Sequence, residues 1–178
     1  ASEKGVEVLL NALPKVREVF PRVAVLYAGQ YQDVMGEGAY YHKLLPRIKV
    51  YQDEGQWVFL GVLSPDDMSL FYKNLDVLVV PSLNSTETFG LVQIEAMIQG
   101  TPTVASDLPG VRVPPRMTGM GEVVPIGDAG QLAEAVIRIL SHPERYQGSP
   151  GEVANLFDPL ANARSYVNIY QDLLGDRS

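Results

Sequence analysis

Short apolar runs alternate with amphipathic segments along the whole chain. Each run ends near a glycine, a proline or a serine, and continuous apolar runs of this length are typical of strands buried on both faces. The segments between them repeat apolar residues at spacings of three and four, as amphipathic helices do. This alternation predicts an α/β fold: a Rossmann-like parallel sheet of about five to six strands with helices on both faces. Five strands are expected directly, over residues 23–28, 57–60, 77–80, 103–105 and 122–124.

Helix starts are marked most clearly where a capping residue stands before a proline or an apolar repeat. Ser64-Pro65 followed by two aspartates combines a cap, a proline suited to the first turn and charges that complement the helix dipole. Asp128 and Asp158 mark two further starts. The polar segment 141–151 is expected to be a connection, either a hinge or a plain loop.

Composition narrows the class of protein. The 178 residues are 46% hydrophobic and 20% charged, which suits one globular domain. The sequence contains no cysteine and no apolar stretch of membrane-spanning length, so we expect a cytoplasmic protein without a transmembrane segment. The net charge of −7 argues against a nucleic-acid partner, because binding to a phosphate backbone depends on lysine and arginine.

The segment 76–110 contains the residues best suited to hold a ligand. Ligands of open parallel α/β sheets bind beyond the carboxyl ends of the strands, which here fall at Gly29, Gly61, residues 81–82 and Ser106. The loop after residue 80 leads into a helix that is expected to start near Gly90. The unpaired N–H groups of a helix start suit a phosphate, and a glycine there permits close backbone approach.

Two glutamates in this segment are ambiguous when each is taken alone. Glu87 lies in a polar loop, where a carboxylate is usually just solvated. Glu95 borders the apolar face of the expected helix, where it either reaches water or pairs with a buried polar group. Neither residue predicts chemistry on its own.

The order of residues around the two glutamates is more specific. Glu87 is followed by Phe89-Gly90, and Glu95-Ala96-Met97 leads to Gly100-Thr101-Pro102. This order resembles the signature of the retaining glycosyltransferases of family 4, the glycosyl transferases group 1 of the GT-B class. Thr88 departs from it, standing where that family most often has glycine.

The resemblance implies one half of a GT-B fold. Residues 1–178 would form a single nucleotide-sugar-binding domain from a longer two-domain enzyme, without its N-terminal acceptor-binding domain and without the first strand of its own sheet. Lys4-Gly5 is similar to the start of the first helix of that family's second domain.

The resemblance also implies roles for particular residues. Glu87 would bind the transferred sugar, Glu95 the ribose hydroxyls, and Lys4 the diphosphate as it leaves, so that Glu87 and Lys4 count as catalytic. Val62 and Leu63 would line the base pocket. The implied donor-binding residues are Lys4, Gly29, Val62, Leu63, Glu87, Thr88, Phe89, Gly90, Leu91 and Glu95.

The expected function is therefore transfer of a sugar from a nucleoside diphosphate to an acceptor hydroxyl with the anomeric configuration kept. The acceptor would be held by the absent domain, no cofactor or metal is expected, and peripheral membrane contact of the intact enzyme stays open. His42 and His142 lack the spacing of metal ligands. The alternatives are a non-catalytic nucleotide-sugar-binding or scaffold module and a GT-B-shaped nucleotide-sugar epimerase. A dinucleotide-dependent oxidoreductase is disfavoured, because no Gly-x-Gly-x-x-Gly follows the first strand.

Overall fold

The structure, a computed structural model, describes residues 1–175. All five predicted strands are present, each within about two residues of its expected bounds. They are β1 (Val25–Ala28), β2 (Trp57–Gly61), β3 (Leu78–Val80), β4 (Thr103–Ser106) and β5 (Gly121–Val124).

Helices follow or separate the strands. They are α1 (Val6–Val19), α2 (Gly38–Asp53), α3 (Pro65–Lys73), α4 (Leu91–Ile98), α5 (Val113–Thr118), α6 (Ala129–Ser141), α7 (Pro150–Leu156) and α8 (Pro159–Gly175), with short 3-10 turns at Ser2–Lys4 and Pro143–Tyr146. The predicted caps are confirmed: Ser64 accepts a hydrogen bond from the backbone of Asp67, and Asp128 accepts one from Gln131.

Two of these helices were not predicted from the pattern. The α5 helix lies in a proline-rich segment, and α7 begins at the end of the segment expected to be a loop. Ser149 caps α7 by accepting a hydrogen bond from the backbone N–H of Glu152 at 3.3 Å. The Ser149-Pro150 pair is the same start signal as Ser64-Pro65, so the sequence did contain evidence for α7.

The strands form two parallel sheets rather than one. The first holds β1 and β2, and the second has the order β3-β4-β5. The α/β class with parallel strands and flanking helices is confirmed. The division into two sheets was not foreseen, because strand patterns in a sequence do not show which strands lie next to each other.

The α1 helix joins the two sheets. One side of it, carrying Val8, Ala12 and Val16, packs with β4, β5 and α6. The other side, carrying Leu10 and Leu13, packs with α2, β1 and β2. This helix therefore contributes to both apolar clusters and ties the two sheets together.

Burial differs between the two sheets. Every residue of β4 is buried, as predicted for a strand covered on both faces. In the sheet of β1 and β2, one face packs against α1 and α2. Leu26, Val58 and Leu60 on its opposite face are 37–39% exposed. The expectation that both faces of every strand are covered is therefore wrong for β1 and β2. Within residues 1–175, no helix has the length and apolar character needed to cross a bilayer.

Candidate functional site

The chain start is fixed against the end of β3. Gly5 has φ of +69°, and a Cβ placed on it would lie 1.9 Å from the carbonyl oxygen of Pro81. The backbone N–H of Leu83 donates to the carbonyl of Glu3 at 2.8 Å. This contact accounts for glycine at position 5, because only glycine permits both the backbone angle and the close approach. It places Lys4 at the carboxyl edge of the strands.

Lys4 meets Glu87 directly. Its Nζ lies 2.6 Å from Glu87 Oε2, with the lysine side chain 50% exposed and the glutamate side chain 19% exposed. Lys4 also lies near β1: burial raises the pKa of Tyr27, and the positive charge of Lys4 partly opposes that increase. The structure thus brings together the two residues predicted to be catalytic, 83 positions apart in the chain.

The loop that carries Glu87 is held by short-range and long-range contacts. The side chain of Asn84 accepts hydrogen bonds from the backbone and the hydroxyl of Thr86, which forms a compact turn. Gly110 lies against the far side, where an added Cβ would fall 1.7 Å from the carbonyl oxygen of Thr88. The sequence pattern did not single out Gly110, so its close contact with this loop was not predicted.

Helix α4 starts at Gly90, as predicted. Gly90 has φ of +73°, and a Cβ there would lie 2.7 Å from Gln93 Nε2. Within the described residues, the backbone N–H groups of Leu91 and Val92 have no acceptor. Two free N–H groups at the positive end of a helix form a site suited to an anion.

Gln93 is a second residue that the sequence analysis missed. It is fully buried, its Nε2 donates to the carbonyl of Val111 at 2.8 Å, and its Oε1 accepts from Thr103 Oγ1 at 3.2 Å. These bonds attach the first turn of α4 to β4 and to the segment after it. A buried glutamine with both ends satisfied fixes the direction in which the free N–H groups point.

Phe89 and Thr88 occupy different environments within the loop. The Phe89 ring packs with the cluster of Ile94, Met97 and Met120 and meets Phe157 edge-on, 6.1 Å between ring centres. Thr88 is exposed. The Phe89 side chain therefore anchors the loop.

Glu95 is exposed on α4 and has one partner. The hydroxyl of Tyr72, near the end of α3, donates to Glu95 Oε2 at 2.8 Å. Burial, then the hydrogen bond to Glu95 and its negative charge, raise the pKa of Tyr72 well above its ordinary value. Of the two readings of Glu95 that the sequence left open, the structure shows a carboxylate that reaches solvent and also binds a buried phenol.

The remaining predicted residues lie at the ends of β1 and β2. The backbone N–H of Gly29 donates to the carbonyl of Gly61 at 2.7 Å, so this N–H is already engaged. Val62 is 79% exposed and Leu63 is partly buried. Among residues 1–175, no hydrogen bond connects these three positions with Lys4, Glu87 or Glu95.

Two arginines near the site are engaged elsewhere. Arg112 and Arg116 both donate to Asp107 Oδ1 at 3.1 Å. In the part of the chain that the structure describes, no group of three or more histidine or acidic side chains could hold a metal ion.

Known proteins are similar to this chain in sequence and in fold. The family model described as glycosyl transferases group 1 matches residues 1–148. A phosphatidyl-myo-inositol mannosyltransferase of Mycobacterium leprae is 32% identical over 173 residues, which cover 94% of this chain and 43% of the relative. The chain thus spans less than half the length of this relative.

Two solved structures have the same fold over nearly the whole chain. Sucrose-phosphate synthase from Thermosynechococcus elongatus has a TM-score of 0.80 at 29% identity, covering 99% of this chain and 44% of that one. The Anabaena protein HepE, in complex with UDP-glucose, has a TM-score of 0.81 at 22% identity, covering 97% and 46%. The sequence signature, the geometry of the α4 start and the family match agree: the chain belongs to the glycosyl transferases group 1 family.

Proposed function

We propose that the chain is the donor-binding half of a retaining glycosyltransferase and holds a nucleoside-diphosphate-sugar across the carboxyl ends of its strands. The observation that carries this proposal is the contact of Lys4 with Glu87, next to the loop that leads to the free N–H groups of α4. The cation and the N–H donors suit a diphosphate, and the carboxylate beside them suits the hydroxyls of the sugar attached to it. The complex of HepE with UDP-glucose supports this class of ligand.

The diphosphate would bind between Lys4 and the start of α4. The Lys4 side chain is half exposed, so a phosphate oxygen can reach it without a large rearrangement. The N–H groups of Leu91 and Val92 supply two more donors. Together these groups would stabilise the charge that develops on the diphosphate as the sugar leaves. We propose that they do so without a metal ion or cofactor.

The sugar would lie against Glu87. Its carboxylate is largely shielded from water, and one of its oxygens is already held by Lys4. The other oxygen can accept from sugar hydroxyls, and carboxylates are acceptors of this kind. The exposed Thr88 and the backbone of Phe89 would complete this side of the site.

The nucleoside would bind on the side of β1 and β2. Glu95 would accept hydrogen bonds from the ribose hydroxyls, since its second oxygen is not engaged by Tyr72. The exposed Val62 and its neighbour Leu63 would contact the base, next to the bare backbone of Gly29. The identity of the base depends on this loop.

In the intact enzyme the sugar would pass to an acceptor hydroxyl held by the remaining part of the protein. We propose front-face displacement: the bond from the anomeric carbon to the diphosphate oxygen breaks and the bond to the acceptor oxygen forms on the same face, while the proton of the acceptor hydroxyl passes to the departing diphosphate oxygen. Lys4 and the N–H groups of α4 would hold the leaving diphosphate, and Glu87 would hold the sugar in position.

We also propose that the intact protein places one more parallel strand between β1 and β3. The two sheets are separate, and α1 covers both of them. The chain enters α1 beside Pro81, at the carboxyl end of β3, which is where a parallel strand in that gap would end. Relatives that are more than twice as long as their matched part have room for this strand and for an acceptor-binding domain.

Calorimetric titration of the chain with UDP, GDP and ADP tests the donor-site proposal. We expect one of the three to bind, and Lys4→Ala to weaken that binding by about tenfold or more, because a charge-assisted hydrogen bond is lost. Lys15→Ala is a matched control, since Lys15 also forms an exposed ion pair, with Glu134 at 2.7 Å and 47% side-chain exposure. Absence of binding at millimolar nucleotide, with circular dichroism showing a folded domain, would overturn the proposal.

A further inference from the structure

Tyr72 is a buried phenol whose hydroxyl points at the candidate site. The residue is 3% exposed, and its backbone carbonyl accepts a hydrogen bond from Thr101 Oγ1 at 2.6 Å. Thr101 itself is 3% exposed. The ring contacts Phe71 at 5.6 Å between ring centres. The backbone and the ring of Tyr72 are therefore fixed, so the position of its hydroxyl is fixed as well.

Among residues 1–175, the single acceptor of this hydroxyl is Glu95. The Oη to Oε2 distance is 2.8 Å, a normal length for a hydrogen bond from a hydroxyl to a carboxylate. Burial raises the pKa of Tyr72, and the hydrogen bond and the charge of Glu95 raise it further. The hydroxyl is therefore protonated, and a hydrogen-bond donor, at neutral pH.

Glu95 lacks other constraints. It lies on the exposed side of α4, and Tyr72 is the one hydrogen-bond partner that its side chain has within residues 1–175. A glutamate side chain on an exposed helix face samples several rotamers and loses conformational entropy when it is held in one. The bond from Tyr72 fixes Oε2 and leaves Oε1 free to accept from a ligand.

We propose that Tyr72 is a positioning residue that orients the Glu95 carboxylate and thereby gives the site its preference for ribose over 2′-deoxyribose nucleotides. This inference rests on the proposed function, in which Glu95 binds the ribose. A pair of neighbouring hydroxyls is recognised well only by an acceptor whose orientation is already set, because ordering it at the time of binding lowers the affinity. A 2′-deoxyribose has one hydroxyl fewer, so its binding affinity gains less from a carboxylate that is already oriented.

Tyr72 also connects the ribose site to the expected base site. It lies near the end of α3, and that helix begins directly after Val62 and Leu63. The Tyr72 to Glu95 bond therefore joins the far end of α3 to α4 across 23 positions of the chain. Removal of the hydroxyl would loosen this connection without removing any side chain that contacts the nucleotide.

The test compares the affinities of UDP and 2′-deoxy-UDP, or the same pair for whichever base binds. In the wild-type chain we expect the ribonucleotide to bind about tenfold more tightly, the usual scale of a hydrogen bond to a carboxylate. In Tyr72→Phe we expect this ratio to fall close to one, mainly through weaker binding of the ribonucleotide. Tyr146→Phe is the matched control, because it removes another tyrosine-to-glutamate hydrogen bond, to Glu122, and should leave the ratio unchanged.

The outcomes separate the inference from the proposed function. If no nucleotide binds to the wild-type chain, the proposed function fails. If the wild type binds and prefers ribose but Tyr72→Phe keeps the same ratio, the function stands and the role of Tyr72 is wrong. Should Tyr72→Phe not fold, 4-fluorophenylalanine at position 72 fills the volume of the hydroxyl without donating, and retention of the ratio in that variant overturns the inference.

Discussion

Lys4 and Glu87 neutralise each other in the absence of a ligand. Their ion pair is 2.6 Å long and half open to solvent on the lysine side. The Glu87 side chain is only 19% exposed, so a phosphate can approach this pair from the side of the half-exposed lysine.

Removal of Glu87 is expected to separate sugar binding from diphosphate binding. Glu87→Ala frees Lys4 Nζ, so affinity for the bare nucleoside diphosphate should stay equal or rise by up to about tenfold. The sugar-bearing donor should bind to Glu87→Ala no more tightly than the bare nucleoside diphosphate, because the contacts with the sugar are lost. Titration with UDP and UDP-glucose, or the corresponding pair for another base, measures both. Glu134→Ala, which leaves Lys15 without its partner, is the control on the other side of the molecule.

Glu95→Ala is expected to weaken the binding of the bare nucleotide and of the sugar-bearing donor to the same extent. The ribose is present in both ligands, so the loss should be about tenfold in each. The same titrations measure it. If Glu87→Ala and Glu95→Ala reduce affinity for the bare nucleotide equally, the division of roles between the two glutamates is wrong.

The loop from β3 to α4 is held by contacts with distant parts of the chain as well as by its own Asn84 turn and Phe89 side chain. Gly110 lies under the Thr88 carbonyl, and Gln93 ties the start of α4 to Val111. Both contacts come from the segment after β4, more than 15 residues later in the chain. The element that presents the free N–H groups therefore depends on α4, β4 and the segment after it being packed together.

Gly110→Ala is expected to displace this loop. The added methyl group would meet a backbone carbonyl at 1.7 Å, so the loop must move, and the free energy of unfolding should fall by about 1–3 kcal/mol. Nucleotide affinity should fall as well. Gly38→Ala is the matched control, because nothing lies within 4 Å of its Cβ position. Urea unfolding and calorimetry of both variants check this, and equal behaviour of the two would contradict it.

The end of α6 is joined to β5 by a carboxylate with two partners. Glu122 receives hydrogen bonds from Arg138 and Tyr146. Burial alone would raise the pKa of Glu122, but the hydrogen bonds from Arg138 and Tyr146 and the charge of Arg138 outweigh it and lower the pKa below 4.5. The group is ionised more readily in the folded state than in the unfolded state, so this network stabilises the fold above about pH 4.5.

Glu122→Gln is therefore expected to lower the free energy of unfolding at pH 7 by about 1–3 kcal/mol. As the pH falls through the lowered pKa of Glu122, the wild-type chain loses this contribution and the difference between the two proteins should shrink. Urea unfolding at pH 7 and at about pH 3.5 measures the difference. A difference that stays constant with pH would show that the charge of Glu122 does not matter.

At the scale of the whole molecule, the two sheets are not hydrogen-bonded to each other, and we call the gap between their edge strands β1 and β3 the seam. Strand alternation turns the N–H groups of Leu26 and Ala28 away from β2, and that of Val79 away from β4. The apolar face that carries Leu26 and Val58 is partly exposed along the same sheet. A seam of this kind would be closed by one more parallel strand.

Hydrogen exchange tests this closure. In the chain of 178 residues, the amides of Leu26, Ala28 and Val79 should exchange faster than that of Val104, which lies in the central strand β4. In a longer form of the protein that includes the preceding segment, all four should be protected. If the three amides exchange equally fast in both forms, no strand enters the seam.

The sequence predicted local features well, but it predicted contacts between residues far apart in the chain poorly. Five strands, the caps at Ser64 and Asp128 and the helix start at Gly90 depend on neighbouring residues, so pattern and turn chemistry were sufficient. The short α5 helix was missed because its prolines masked any periodic pattern. Lys4, Glu87 and Glu95 were among the site residues predicted from the sequence, but the residues that hold them in place were not predicted.

The sequence by itself determined the α/β class, the family and the types of residue at the carboxyl edge of the strands, since these follow from spacing along the chain. Only the tertiary structure decided which residues meet. It paired Lys4 with Glu87 and Tyr72 with Glu95, and it divided the strands into two sheets covered by α1. The physical reason is that a hydrogen bond or a close backbone approach depends on positions in space, and packing brings together residues that no local pattern relates.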